Sequence, residues 1–189
     1  MESHQERPDI IKAIILRKRC EMHRLYCLVF LVCFGAMMPA MAQECHMTDG
    51  WMAMGSAQIA LESAGEQHLL SVRVADDSQK RAAGYQWICE QDSVDSAVLF
   101  VFPEKFYSAF HMRNVFVPLD IYFFDELGHQ VGAMLMPAEP PGQGIKPHYY
   151  SPSAEFKFAL EIPRFGAHDS TAPPLAFSLV LASLPINLD

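Results

Sequence analysis

Apolar residues along the chain form short runs of strand length that are separated by turn-forming residues. The two densest runs, 97–102 and 119–124, are rich in Phe, Val and Ile, and such runs between Pro, Gly and Asp are typical of buried strands. Residues 67–74 alternate apolar and polar side chains, as a strand with one buried face does. The pattern predicts four further strands, at 58–61, 130–136, 156–162 and 175–184.

The connections between these runs predict how the strands pair. Short turn-rich loops at 62–66 and 125–128 favour two antiparallel hairpins. The oxygens of Asp76, Asp77 and Ser78 can cap a short helix over 79–87, in which Gly84 marks close packing or the helix end. Residues 43–56 are predicted to be an extended lead-in, and 137–152 and 166–174 to be loops. We therefore expect an α+β, mainly β fold: a single compact antiparallel or mixed sheet, or barrel-like domain, with one short helix.

The first 42 residues have the organisation of a secretory leader. Four basic residues lie within 17–24, a short apolar run follows, and Ala-Met-Ala ends at Ala42 in the small-x-small form that signal peptidase accepts. We expect cleavage after Ala42 and a secreted or periplasmic domain of residues 43–189. An uncleaved N-terminal anchor is the alternative, and a start at Met1 or at Met22 stays open.

The charge of the domain excludes one class of partner. Six of the 14 basic and four of the 22 acidic residues precede residue 43, so residues 43–189 carry eight basic and 18 acidic residues and a net charge of −10. Such a surface repels nucleic acid and anionic lipid. We expect no nucleic-acid partner, and no stable membrane span once the leader is removed.

Two cysteines, Cys45 and Cys89, remain in the domain. In an oxidising compartment they would form one disulfide between the start of the domain and the end of the helix. Such a bond contributes about 2 to 4 kcal/mol when unstrained. Two separate buried thiols are the alternative, because the sequence gives no geometry.

A string of polar residues interrupts the densest apolar region, and polar side chains next to a core need hydrogen-bond partners or a function. The candidate binding residues are Arg81, His111, Met112, Arg113, Asn114, Asp120 and Glu161. In one interpretation they form a small polar pocket, in which Arg113 or Arg81 pairs with a carboxylate and Asn114 fixes its orientation. In the other, Asn114 and Asp120 satisfy backbone groups, while Arg81 pairs with Asp120 or Glu161.

Five short motifs follow one another along residues 69–163. They are Val-Ala-Asp at 74–76 followed by Arg81 and Gly84, Leu-Phe-Val-Phe-Pro at 99–103, Phe-His-Met-Arg-Asn at 110–114, Pro-Leu-Asp-Ile at 118–121 and Leu-Glu-Ile-Pro at 160–163. In these motifs the chain resembles the domain of unknown function 192 family of small secreted or membrane-anchored prokaryotic proteins. The resemblance implies a compact, mainly β domain with a small helical part. It implies no activity, because none is established for the family.

The chain also departs from the pattern of that family. Gly-Tyr-Gln at 84–86 stands in place of Gly-Leu-Met, Ala-Val at 97–98 in place of Gly-Met, and His111 in place of Trp. The resemblance is therefore to a divergent member, and a pocket lined by these positions would have changed its ligand.

Other chemistry has little support in the sequence. No short ligand spacing joins the metal-binding candidates His111, Asp120, His129 and His148. Nucleophile elbows, phosphate loops and dinucleotide fingerprints are absent from it. We expect neither metal nor cofactor, and a binding domain for a small ligand or an envelope component rather than an enzyme. The alternatives are an enzyme of unknown activity, hydrolysis among the options, and a structural or protein-interaction domain.

Overall fold

The computed structural model describes residues 44–93, 96–142, 146–164 and 176–184. The helices are α1 (Asp49–Ala53), α2 (Ser78–Ala83) and α3 (Glu90–Ser93), with a 3-10 helix at Leu181–Ser183. The strands are β1 (Gly55–Ser63), β2 (Glu66–Ala75), β3 (Ala97–Phe106), β4 (Phe110–His111), β5 (Leu119–Phe124), β6 (Gln130–Met136), β7 (Tyr149–Tyr150), β8 (Phe156–Pro163) and β9 (Ser178–Leu179). The predicted mainly β, α+β class is confirmed.

Seven strands form one curled sheet, a half-barrel, in the order β6-β5-β8-β3-β2-β1-β9. All neighbours are antiparallel except β2 and β3, whose parallel pairing needs the crossover that carries α2 and α3. Strands β4 and β7 pair in a small second sheet. The curl brings β9 against the β5–β6 hairpin, where the Leu179 N–H donates to the Gly128 carbonyl (2.8 Å).

The central strands are buried on both faces, which explains why their sequences read as continuous apolar runs. Alternate side chains point to opposite faces of a strand, so β3 and β5 each contribute to two cores. One core, enclosed by the curl, includes Leu99 and Tyr122. The other includes Phe100 and Phe123, and it is covered by α1 and by the chain that follows α2.

The two predicted hairpins are confirmed. The first has a turn of only two residues. Strands β1 and β2 are joined by Ala64 and Gly65 alone, with φ of 53° and 82°. Positive φ at both turn residues matches the right-handed twist of the two strands. The β5–β6 turn is closed by Asp125, whose Oδ1 accepts hydrogen bonds from the Leu127 and His129 backbone N–H groups.

The predicted helix over 79–87 is too long, and it is one of three short α-helices in the described part of the chain rather than the only one. Helix α2 begins after Asp77, whose Oδ1 accepts from the Lys80 N–H (2.8 Å), and it ends because Gly84 adopts a φ of 45°. Helix α1 lies within the predicted lead-in, where Thr48 Oγ1 caps it by accepting from the Trp51 N–H (3.2 Å).

The predicted last strand is also shorter than expected. In the described part of 175–184, Ser178–Leu179 forms the strand that pairs with β1, and the chain then turns into the 3-10 helix. Strand β7 lies inside the predicted 137–152 loop. The predicted 166–174 loop and the predicted leader lie outside the described residues.

The predicted disulfide joins Cys45 to Cys89, with Cα atoms 4.9 Å apart and a sequence separation of 44. It fixes the described N-terminal residues to the segment after α2. The neighbouring His46 N–H donates to the Trp87 carbonyl (2.6 Å), and the two rings stack at 5.8 Å. In the described part of the chain, no helix has the length and apolar character to cross a bilayer.

Candidate functional site

A cavity of about 250 Å³ lies between the sheet and the chain that follows α2. One side consists of residues 81–86, at the end of α2 and in the turn after it. The opposite side consists of Phe100 and Phe102 of β3 and Glu161 of β8, and residues 108–111 close a third side. Three of the seven predicted site residues, Arg81, His111 and Glu161, therefore line one cavity.

The turn that forms one wall is held by an unusual backbone contact. Trp87 and Asn114 both have positive φ, 70° and 61°. The Trp87 N–H donates to the Asn114 carbonyl (2.8 Å), so each residue supports the other in a conformation that costs a non-glycine residue energy. Asn114 thus supports the end of this turn through its backbone, and its residue does not line the cavity.

Arg81 is fixed in place by the backbone. Its Nη1 donates to the carbonyl oxygens of Asp76 and Val101, both at 2.8 Å, and its guanidinium carbon lies 5.1 Å from the centre of the Phe102 ring. It forms no ion pair with any described carboxylate. A guanidinium has five N–H donors, so Arg81 keeps donors for a ligand while its position is already set.

Glu161 is the most unusual side chain in the cavity. It lies on the central strand β8, opposite Val98 of β3 and Ile121 of β5, and only 4% of it is exposed. No described residue is hydrogen-bonded to its carboxyl group. Burial raises the pKa of Glu161 to about 8, because a charged carboxylate loses its hydration in an apolar environment. The group is therefore a neutral carboxylic acid at neutral pH.

Tyr85 lines the cavity together with Glu161 and also belongs to the core under α1. Its hydroxyl donates to the Ser96 carbonyl, and its ring lies 5.2 Å from the ring of Trp51. Burial, and then the charge of Glu161, raise the pKa of Tyr85 well above its usual value. Arg73 also stacks on Trp51, with its guanidinium carbon 4.6 Å from the centre of the Trp51 ring.

His111 presents an unsatisfied polar atom. It pairs with Tyr149 across β4 and β7, and its Nδ1 is buried without a hydrogen-bond partner in the described part of the protein. Burial, and then the charge of Arg113, lower the pKa of His111, so its imidazole is neutral at pH 7. A buried polar atom without a partner costs about 1 to 3 kcal/mol, and Nδ1 has almost no accessible surface, so it does not face the cavity.

The remaining predicted site residues lie elsewhere. Met112 is fully buried in the core, and Arg113 is exposed beside the cavity. Asp120 points to the opposite face of the sheet, the face of Tyr122, where Arg164 binds it through two nitrogens at 2.6 to 3.1 Å. The predicted alternative pairing of Arg81 with Asp120 or Glu161 is therefore wrong. Pairing with Asp120 fails because the sheet lies between the two side chains, and Arg81 forms no ion pair with Glu161.

The aromatic walls were not predicted as site residues. Phe100, Phe102 and Phe110 line the cavity and also pack against the core. Their sequence signal is only that of core residues, so periodicity could not have separated the two roles. Among the described residues, no three His, Cys, Asp or Glu side chains gather as a metal site would require. His129 instead pairs with Asp125 (3.3 Å).

Fold and site together define a class of protein, a half-barrel domain with a helix-covered cavity that holds one buried carboxyl group. The chain belongs to the DUF192 family, described as "Uncharacterized ACR", whose model matches residues 59–169. The family resemblance in the sequence motifs is thereby confirmed. A search of curated proteins gives no match.

Two solved structures share the fold. One, from Sinorhizobium meliloti 1021 and provisionally described as a transcription regulator, is 23% identical with a TM-score of 0.54, and the match covers 69% of this chain and 97% of that one. The other, a protein of unknown function from Novosphingobium aromaticivorans DSM 12444, is 19% identical with a TM-score of 0.54. The match covers 75% of this chain and 94% of that one. At these identities the likeness extends to the fold alone.

Proposed function

We propose that the domain binds a small molecule in the cavity between α2 and the sheet. One observation carries the proposal: the carboxyl group of Glu161 is buried in the wall of the cavity, and no hydrogen bond joins it to a described residue. Native proteins rarely leave buried polar groups unpaired without a reason. A bound molecule would supply the missing partners.

The size and lining of the cavity limit what it can hold. A volume of 250 Å³ equals about eight water molecules at about 30 Å³ each, so the ligand would have about ten non-hydrogen atoms. Aromatic walls with a few convergent polar groups are typical of small-molecule sites. The neutral acid of Glu161 can both donate and accept, and the neutral His111 can do the same.

We also propose that the protein is exported and cleaved after Ala42. The leader pattern of the first 42 residues supports export, and the Cys45–Cys89 disulfide supports an oxidising compartment. The intact mass of protein expressed with its own leader tests this. A chain that starts at Gln43 and lacks two hydrogens is expected, whereas a longer chain would overturn the cleavage site.

A fragment screen tests the binding proposal. Saturation-transfer NMR with a library of compounds of about ten non-hydrogen atoms is run on the wild-type domain and on two variants. Ala82→Trp narrows the cavity from its lining, and Gln79→Trp places the same ring on the same helix outside it. We expect binders that Ala82→Trp abolishes and Gln79→Trp retains. Absence of any binder, or equal loss in both variants, would overturn the proposal.

A further inference from the structure

We infer that the cavity takes a small organic carboxylate with a flat apolar body, an inference that rests on the proposed binding function. The carboxylate would bind Arg81, and the body would lie between the aromatic walls toward Glu161. The charge distribution around the cavity carries this inference, and the shape of the walls supports it.

Positive charge gathers at the cavity although the domain is acidic overall. Residues 43–189 contain four arginines. Arg164 is neutralised by Asp120 on the other face of the sheet, whereas Arg73, Arg81 and Arg113 form no ion pair with any described carboxylate. Unpaired arginines are notable in a domain whose acidic residues outnumber its basic ones by ten.

All three unpaired arginines act on the lining of the cavity. Arg81 is part of the lining. The charge of Arg113 lowers the pKa of the lining residue His111, whereas the charge of Glu139 raises it. The charge of Arg73 opposes the rise in the pKa of the lining residue Tyr85. Among the three, Arg81 lies in the lining itself. The site therefore favours a negative ligand at Arg81, because opposite charges attract strongly where water is largely excluded.

The neutral state of Glu161 also favours an anionic ligand over a cationic one. An ammonium ligand would need Glu161 to ionise in a site where burial holds its proton, and it would also be repelled by Arg81. A carboxylate ligand does not require Glu161 to ionise and is attracted rather than repelled by Arg81. It can accept hydrogen bonds from the free donors of Arg81, which are charge-assisted and about twice as strong as neutral ones.

The walls favour a flat body. Phe100 and Phe110 meet edge to face with ring centres 5.1 Å apart, and Phe102 carries the Arg81 guanidinium on its face. A planar ring can stack or pack edge-on against these rings.

The test compares three ligands that share one ring and differ only in charge: benzoate, benzamide and benzylamine. Affinities are measured by titration calorimetry near pH 6.5, with the wild-type domain and with Arg81→Gln, Arg113→Gln and Lys105→Gln. Lys105 is an exposed lysine outside the cavity, so its variant removes one charge without touching the site. Arg113→Gln keeps the test valid if Arg81→Gln fails to fold, because the Arg113 side chain is exposed.

We expect benzoate to bind at least tenfold more tightly than the other two. This advantage should be lost in Arg81→Gln, reduced a few-fold in Arg113→Gln and retained in Lys105→Gln. Equal or tighter binding of benzamide or benzylamine would overturn the inference and leave the proposed binding function standing. Binding of none of the three would also overturn it, and the proposed function would fail as well only if the fragment screen found no cavity binder.

Discussion

The buried carboxyl group of Glu161 makes the stability of the domain depend on pH in a calculable way. The pKa of this group rises from 4.5 to about 8 on folding. Between these values the folded protein keeps a proton that the unfolded chain has released, so the free energy of unfolding falls as the pH rises. Below pH 4.5 both states are protonated and burial costs nothing extra, whereas above pH 8 the full cost is present.

Glu161→Gln removes this dependence, because glutamine has a similar shape and stays neutral at every pH. The difference between 4.5 and about 8 corresponds to about 5 kcal/mol, at about 1.4 kcal/mol per pKa unit. We therefore expect the variant and the wild type to be similarly stable below pH 4.5. The variant should become more stable by several kcal/mol as the pH reaches 8. Burial is the cause of the raised pKa of Glu161, and a glutamine at the same position carries no charge for burial to penalise.

Urea unfolding followed by tryptophan fluorescence, repeated at intervals from pH 4.5 to 8.5, measures the difference. Glu104→Gln is the matched control, because Glu104 is exposed on β3, and its difference from the wild type should be small at every pH. A Glu161→Gln difference that does not change with pH, or that shrinks as pH rises, would show that Glu161 is ionised in the folded protein and would refute the reasoning.

Three further predictions concern the disulfide, a close contact and the ligand. Replacing Cys45 and Cys89 by serine should lower the free energy of unfolding by about 2 to 4 kcal/mol, and an unchanged urea midpoint would contradict this. Gly128 and Gly65 both have positive φ, but an added Cβ at Gly128 would collide with the Leu179 carbonyl while one at Gly65 meets nothing. Gly65→Ala should therefore cost about 1 kcal/mol and Gly128→Ala clearly more, and equal midpoints in thermal unfolding would count against the packing of β9. Benzoate affinity, measured by calorimetry, should fall as the pH rises through about 8, because Glu161 then ionises and repels the bound anion. A constant affinity would argue against contact between benzoate and Glu161.

The sequence predicts the sheet well because local pattern and tertiary structure agree there. The boundaries 119–124 and 130–136 match β5 and β6 because a continuous apolar run ends at strong turn residues on both sides. The ends of the chain are predicted less well. Helix α1 is only five residues long, and β9 pairs through only two, so neither is long enough to show a period.

The candidate site could be predicted in part, for a physical reason. Arg81, His111 and Glu161 stand out in the sequence because they are polar residues inside apolar surroundings, and the structure brings them to one cavity. Asp120 stands out in the same way but lies on the other side of the sheet. A one-residue difference in strand register decides which face a side chain occupies, and the sequence around Asp120 gives no sign of which face holds the cavity. Its partner Arg164 follows the end of β8, where no motif marks it.

An NMR titration with benzoate tests the central claim most directly, because it reports both binding and its place. Backbone amide shifts of the uniformly labelled domain are recorded as benzoate is added. The largest shifts are expected along residues 81–86 and 108–111 and at Glu161, which line the cavity from three sides. No saturable shifts, or saturable shifts centred away from these residues, would contradict the account of a carboxylate-binding cavity.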